Sequence, residues 1–232
     1  MKGVILAAGK GERLGELSRT TPKPMIRVHG EPILAHTIAL CRAYGVTELY
    51  INTHHLPEVI RTYCGDGSRW GVKIEYSYEP ELLGTAGALR NFGSALGRDP
   101  FFVLYGDNYS RYDLQSLERI AKDRRAFAVI AFHWRDDTAS SGVAEFDEDG
   151  RVLRFVEKPK PGESESRWVN AGIYYFLPGV LQEIPEGYSD FGRDIFPALL
   201  RKGLPVYGVR ERSDVSAFDT PEMLKESMNR LR

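Results

Sequence analysis

Apolar residues in this chain come in short runs parted by longer amphipathic stretches. Lys2–Ala7 is an apolar run ending in small residues, the pattern of a strand buried in a parallel sheet. A polar loop rich in Gly, Thr and Pro follows to about Met25. Ile33–Tyr44 has helical spacing, with Pro32 suited to the first turn and Gly45 to the stop. Strands are then expected at Glu48–Thr53, Lys73–Ser77 and Phe101–Tyr105. Helices are expected at Leu56–Cys64, Thr85–Ala95 and Leu114–Asp123, before a strand at Phe127–Phe132. Such alternation predicts an α/β fold, a mostly parallel sheet with helices on both faces.

The pattern changes in the second half. Val143–Phe146 and Val152–Val156 flank Asp147-Glu148-Asp149-Gly150, which has the chemistry of a hairpin turn. A strand at Val169–Phe176, a helix at Phe191–Lys202, a strand at Val206–Val209 and a closing helix at Pro221–Leu231 complete the reading. No linker, repeat or low-complexity stretch interrupts it. One domain over residues 1–232 is expected, its second half adding antiparallel strands to the same sheet as a lid over a cleft.

Composition narrows the function. A chain of 232 residues can bury a substantial core. The formal net charge of −1 argues against bulk binding to nucleic acid or to an anionic membrane. No apolar run reaches the roughly 18 residues of a membrane span. Met1-Lys2 leads straight into a strand, so no signal peptide is expected and a cytoplasmic location is. Cys41 and Cys64 have neither metal spacing nor a disulfide framework, and two reduced thiols are expected.

The chemistry concentrates in "LAAGKGERL", Leu6 to Leu14. A glycine-rich turn behind an apolar strand suits phosphate, yet the P-loop spacing is absent. Gly9, Gly11 and Gly15 are spaced one residue too long for a dinucleotide fingerprint, and no helix is expected directly behind the loop. What remains is a glycine loop carrying fixed cations. Arg13 lies within it, and Lys23 follows between Pro22 and Pro24. Such cations, with a metal, match the roughly four negative charges of a nucleoside triphosphate. Lys10 reads as a solvated surface residue.

Further segments follow in order: "TPKPM", "GDGSRWGVKIEYSYEPELLGTAGAL", "YGDN", "EKP", "VNAGIY" and "DTPE". With the glycine loop they span nearly the whole chain. The chain resembles the sugar-1-phosphate nucleotidyltransferases, which make nucleotide-sugars, with a pattern nearest the mannose-1-phosphate guanylyltransferases. The resemblance implies a Rossmann-like (GT-A-type) mixed, mostly parallel sheet with a smaller antiparallel sugar-binding lid. It implies Mg²⁺, a nucleoside triphosphate and a sugar-1-phosphate as ligands, and release of pyrophosphate. Residues 1–135 would serve mainly the nucleotide and 136–232 mainly the sugar phosphate. The β-helix domain that longer members append is expected to be absent. Oligomeric state stays open, a homo-oligomer included.

By the same resemblance, Leu6, Ala8, Gly9, Gly11, Glu79, Gly84 and Thr85 contact the nucleotide, and Arg13 and Lys23 its triphosphate. Asp107 and Asp219 hold Mg²⁺, although Asp219 also fits the cap of the last helix. Lys158 positions the attacking phosphate. Glu157 and Asn170 contact sugar hydroxyls, and Gly142 gives a backbone contact to the sugar. Glu79 bears on the base. A carboxylate only accepts hydrogen bonds, guanine offers two adjacent donors, and uracil or thymine sets one N–H between two carbonyls. GTP is therefore favoured, and with it the resemblance to the guanylyltransferases implies mannose-1-phosphate. The alternatives are a uridylyl- or thymidylyltransferase on glucose-1-phosphate, N-acetylmuramic acid 1-phosphate or a related sugar phosphate, and a heptose-1-phosphate guanylyltransferase. A silent nucleotide-sugar-binding regulator and a glycosyltransferase are rivals of other classes. The first is disfavoured because Arg13, Lys23, Asp107, Lys158 and Asp219 are all present, the second by the cationic loop. His54-His55 reads as a loop or cap, Trp70 as packing its turn against the sheet, and Glu145 as structural.

Overall fold

A computed structural model describes residues 1–212 and 215–231. Its strands are β1 Lys2–Leu6, β2 Arg27–Val28, β3 Glu31–Pro32, β4 Glu48–Thr53, β5 Lys73–Tyr78, β6 Phe101–Tyr105 and β7 Asn108–Ser110. They continue with β8 Ala128–Trp134, β9 Gly142–Phe146, β10 Val152–Glu157, β11 Trp168–Phe176, β12 Val206–Glu211 and β13 Val215–Ala217. The fold is α/β, with a mixed sheet and helices between its strands, as the alternation predicts. The chain forms two compact units. The first holds Met1–Leu82, Leu104–Arg111 and Val215–Arg232; the second holds Leu83–Val103 and Tyr112–Asp214.

In the first unit β1, β4 and β5 run parallel, with Leu6 level with Asn52 and Thr53 level with Tyr78. Val4, Ile5 and Ile51 are fully buried, which is what a parallel strand covered on both faces demands. Helix Ile33–Ala43 makes the first crossover and buries Ile33, Leu34, Ile38 and Cys41. Helix Pro57–Cys64 makes the second. Two small antiparallel ladders complete the unit. β2 pairs β3 across His29-Gly30, and β7 pairs β13 with Asn108 opposite Ala217 and Ser110 opposite Val215. A cluster of Leu14, Ile26, Val28, Ile33, Tyr109 and Phe218 forms its own core, onto which Leu224, Met228 and Leu231 of the last helical segment pack. Burial pushes the Cys41 and Cys64 thiols up to about 12, so both are inert packing residues.

In the second unit β10, β9, β11 and β8 are antiparallel neighbours, and β12 joins β8 in parallel. The β9–β10 hairpin closes as expected, with Asp147 accepting the Arg151 N–H and Gly150 at φ +83°. Register shifts between Asn170 and Tyr174, a bulge that Gly172 turns at φ +71°. Phe155, Tyr174, Phe176, Phe191 and Phe196 pack as one aromatic core.

Three stretches depart from expectation. Glycine-rich residues 84–96 form a helical turn at Gly84–Gly87, a 3-10 segment at Ala88–Phe92 and another turn at Gly93–Leu96, because glycine is a poor helix interior. The segment expected as one helix from Phe191 opens with a π-helical turn, Phe191–Ile195, before α-helix Phe196–Arg201. Pro197 lacks the N–H that would bond the Arg193 carbonyl, and the wider turn accommodates that gap. The loop after β1 is also not bare. It holds helical turns at Glu12–Leu14, Glu16–Thr20 and Lys23–Met25, so a short helix does stand behind the glycines.

Candidate active site

The first unit draws four predicted residues together. β1 ends at Leu6, and Asn52 at the end of β4 takes the next N–H, that of Ala7, at 2.8 Å. The chain then turns through the glycines, with Gly11 at φ +64°. Gly9 has open space where a side chain would stand. Behind β6, the Gly106 N–H donates to Leu6 O at 2.9 Å, and a Cβ at Gly106 would stand 2.9 Å from Ile5 Cγ2. Glycine is what lets Asp107 come so close to the carboxyl end of β1.

Lys23 stands at the centre. Its Nζ is 2.6 Å from Asp107 Oδ2 and also pairs with Asp219 Oδ1, while its side chain is only 7% exposed. Arg13 reaches Asp219 Oδ1 at 3.4 Å from a largely exposed position. Burial alone would depress the Lys23 ammonium. The charges of Asp107 and Asp219, which it also hydrogen-bonds, outweigh burial and hold it above the ordinary lysine range. Lys10 pairs only loosely with Glu12, at 3.8 Å on the surface. Asp219 does not cap the last helix; Thr220 does, its hydroxyl oxygen accepting from Met223 N–H at 3.2 Å. Two carboxylates converging on one cationic point are the hard oxygen donors that Mg²⁺ takes, so Asp107 and Asp219 fit that ion.

Glu79 lies inside. It is 1% exposed, its N–H bonds Thr53 O at 2.8 Å, and its Oε1 accepts from Asn52 Nδ2 at 2.8 Å. Its carboxylate therefore holds Asn52, which holds Ala7. Leu6 and Ala8 are buried beside this chain of contacts. Asn52 escaped the sequence reading, although a polar side chain at the carboxyl end of an apolar parallel strand was its signal. His54 Nδ1 contacts Glu79 O at 2.7 Å and His55 Nε2 contacts Ser18 O at 2.6 Å, so both tie loops. Trp70 packs beside Tyr63, under the Arg69 guanidinium.

The second unit collects the remaining predicted residues. Glu157 ends β10 opposite Gly142 of β9. Lys158 follows at φ +53°, strained for a residue with a side chain, and its N–H donates to Ser141 O at 3.2 Å. Burial raises the Glu157 carboxyl, and Asp190 adds to the shift; Lys158 and Arg193 oppose it. Asn170 is engaged in the β11 bulge, donating to Tyr174 Oη at 2.8 Å and accepting from Gly172 N at 3.0 Å. Gly84 and Thr85 belong to this unit. A Cβ at Gly84 would stand 2.3 Å from Ser189 O, and Thr85 donates to Asp190 Oδ2 at 2.8 Å. Bonds from Thr85, Ala86 and Gly87 run to the segment Ser189–Phe191, which the sequence reading did not single out. Glu145 accepts from Ser164 at 2.9 Å, in keeping with a structural role.

The Nucleotidyl transferase family model matches residues 2–219. A UTP–glucose-1-phosphate uridylyltransferase of Synechocystis sp. is 38% identical over 90% of this chain and 58% of its own length. A mannose-1-phosphate guanylyltransferase of Mycobacterium tuberculosis is 35% identical over 94% of this chain and 61% of its own length. The chain thus spans about three fifths of the length of these curated relatives. Among solved structures, a Bacillus anthracis protein provisionally named a glucose-1-phosphate thymidylyltransferase, in complex with a sucrose, superposes with a TM-score of 0.89 at 25% identity, covering 100% of this chain and 95% of that one. A match across nearly all of the sequence, on this fold, makes the chain a member of the Nucleotidyl transferase family.

Proposed function

We propose that the chain transfers a nucleotidyl group from a nucleoside triphosphate to a sugar-1-phosphate, releasing pyrophosphate. The buried Lys23 between Asp107 and Asp219, with Arg13 beside them, carries this reading. A sugar-phosphate oxygen attacks the α-phosphorus, the new P–O bond forms in line, and the bond to the β-phosphate breaks with its electron pair leaving on pyrophosphate. Arg13 and Lys23 pair with the phosphates that leave, where negative charge grows. Asp107 and Asp219 would hold Mg²⁺, which when bound supplies positive charge to the same phosphates. Lys158 orients the attacking phosphate, and Glu157 accepts sugar hydroxyls. The nucleophile is ionised near neutrality, so no general base is required.

GTP and mannose-1-phosphate are the first reading. The mycobacterial relative supports it. UTP and glucose-1-phosphate are the second, supported by the Synechocystis relative. The test is a matrix of five nucleoside triphosphates against several sugar-1-phosphates, read by pyrophosphate release with Mg²⁺. Turnover is expected with GTP, and Asp107→Asn is expected to reduce it by about a hundredfold or more with the melting curve retained. Turnover with UTP and not GTP selects the second reading. No pyrophosphate from any pair overturns both.

A further inference from the structure

Gly192 of the second unit sits between two carboxylates. Its N–H donates to Asp190 Oδ1 at 3.0 Å. On its other side, a Cβ would stand 2.3 Å from Glu157 Oε2. A Cβ at Gly142 would stand 2.6 Å from the same oxygen. Glu157 Oε2 thus occupies a slot bounded by two glycine backbones and the Phe155 ring, and a side chain at either glycine would meet both the oxygen and the ring. Asp190 fixes one wall. Its Oδ1 also accepts from Arg193 N at 3.2 Å, and its Oδ2 accepts from the Thr85 hydroxyl at 2.8 Å. Thr85 Oγ1 in turn accepts the Phe191 N–H at 2.9 Å. Both Asp190 oxygens are engaged within the protein, so this residue acts on a ligand through its neighbours.

We propose that Asp190, held by Thr85, is a positioning residue of the sugar-phosphate site, setting the Gly192 wall and its own negative charge against Glu157 so that Glu157 meets sugar hydroxyls in one orientation. The inference rests on the nucleotidyltransferase reading and deepens it. It also moves Thr85 from the nucleotide to the support of the sugar site. The charged groups acting on Glu157 are Asp190, Lys158 and Arg193, and Asp190 alone among them disfavours its ionisation.

Asp190→Asn tests this cleanly. An asparagine keeps the Oδ1 acceptor for Gly192 and Arg193, so the helical turn remains capped. It removes the charge and puts an amide where Thr85 donates. The KM for the sugar-1-phosphate should rise about tenfold, the scale of one charge-assisted hydrogen bond, with the nucleotide KM unchanged. Without the Asp190 charge Glu157 ionises more readily, so the acid limb of kcat/KM for the sugar phosphate should move to lower pH. Gly192→Ala should reproduce the KM split. Equal changes in both KM values, or an unmoved acid limb, would overturn the proposal. A readout independent of turnover is the NMR titration of the Glu157 carboxyl in the unliganded protein, expected at lower pH in Asp190→Asn than in wild type. If no sugar phosphate is turned over but that titration shifts, the function reading fails and the Asp190–Glu157 coupling stands. Identical titrations sink the coupling whatever the activity.

Discussion

Glu211 and Asp113 show how one charge can work against the fold. Burial raises the Glu211 carboxyl, and the nearby Asp113 charge raises it further; a hydrogen bond from Ser116 pulls the other way. An acid whose folded-state value lies above its unfolded value binds its proton more tightly when folded. Its ionised form therefore costs stability above the folded value, and the cost vanishes below the unfolded one. Glu211→Gln should stabilise the protein near neutrality by less than about 1 kcal/mol, solvent screening keeping the gain small. That gain should fade as pH falls through the carboxylate range. Paired urea melts at neutral and acidic pH check it; a gain of equal size at both would assign the effect to packing. Lys23 is the opposite case, a buried cation whose two acids more than offset its desolvation.

At the scale of elements, the segment Gly84–Gly87 shows glycine permitting close backbone packing. Gly84 lies at φ +77°, and a Cβ there would stand 2.3 Å from Ser189 O. A Cβ at Gly87 would stand 2.5 Å from Gly187 O. Gly84→Ala should cost about 1–3 kcal/mol in a denaturant melt through backbone displacement. Stability equal to wild type would mean the segment can move aside. The sequence reading gave Gly84 and Thr85 to the nucleotide and was silent on residues 187–191, because nothing in "GTAG" shows that they return against it. Long strands with buried runs, such as β1 and β4, were legible for the converse reason, since their pattern is local. The ladders β2–β3 and β7–β13 have two or three residues per strand, too few for any period to emerge. Arg13, Lys23, Asp107 and Asp219 were legible as residue types. That Lys23 would spend its charge on both acids was not, for the three lie in separate stretches of sequence.

At the scale of the molecule, the first unit is assembled from three stretches of chain and the second from two. The first therefore depends on its last stretch. Phe218 is fully buried, and Leu224, Met228 and Leu231 cover the same cluster. A chain ended after Arg212 should lose about 3–5 kcal/mol from the absence of Phe218 alone. Hydrogen exchange should then show helix Ile33–Ala43 losing protection while β8 and β11 keep theirs. Unaltered protection in that helix would show that the cluster closes without its final segment.

The β7–β13 ladder acts as a ruler. Asn108 stands opposite Ala217, so Asp107 and Asp219 flank one end of the pairing although more than a hundred positions separate them along the chain. Residues added or removed between Tyr112 and Asp214 leave that measure intact, because the pairing resets it at Ser110 and Val215. A single indel between Ala217 and Asp219 does not, and would carry one acid away from Lys23. The spacing of the two acids is thus indifferent to chain length between the paired strands and sensitive to it only at this one short splice.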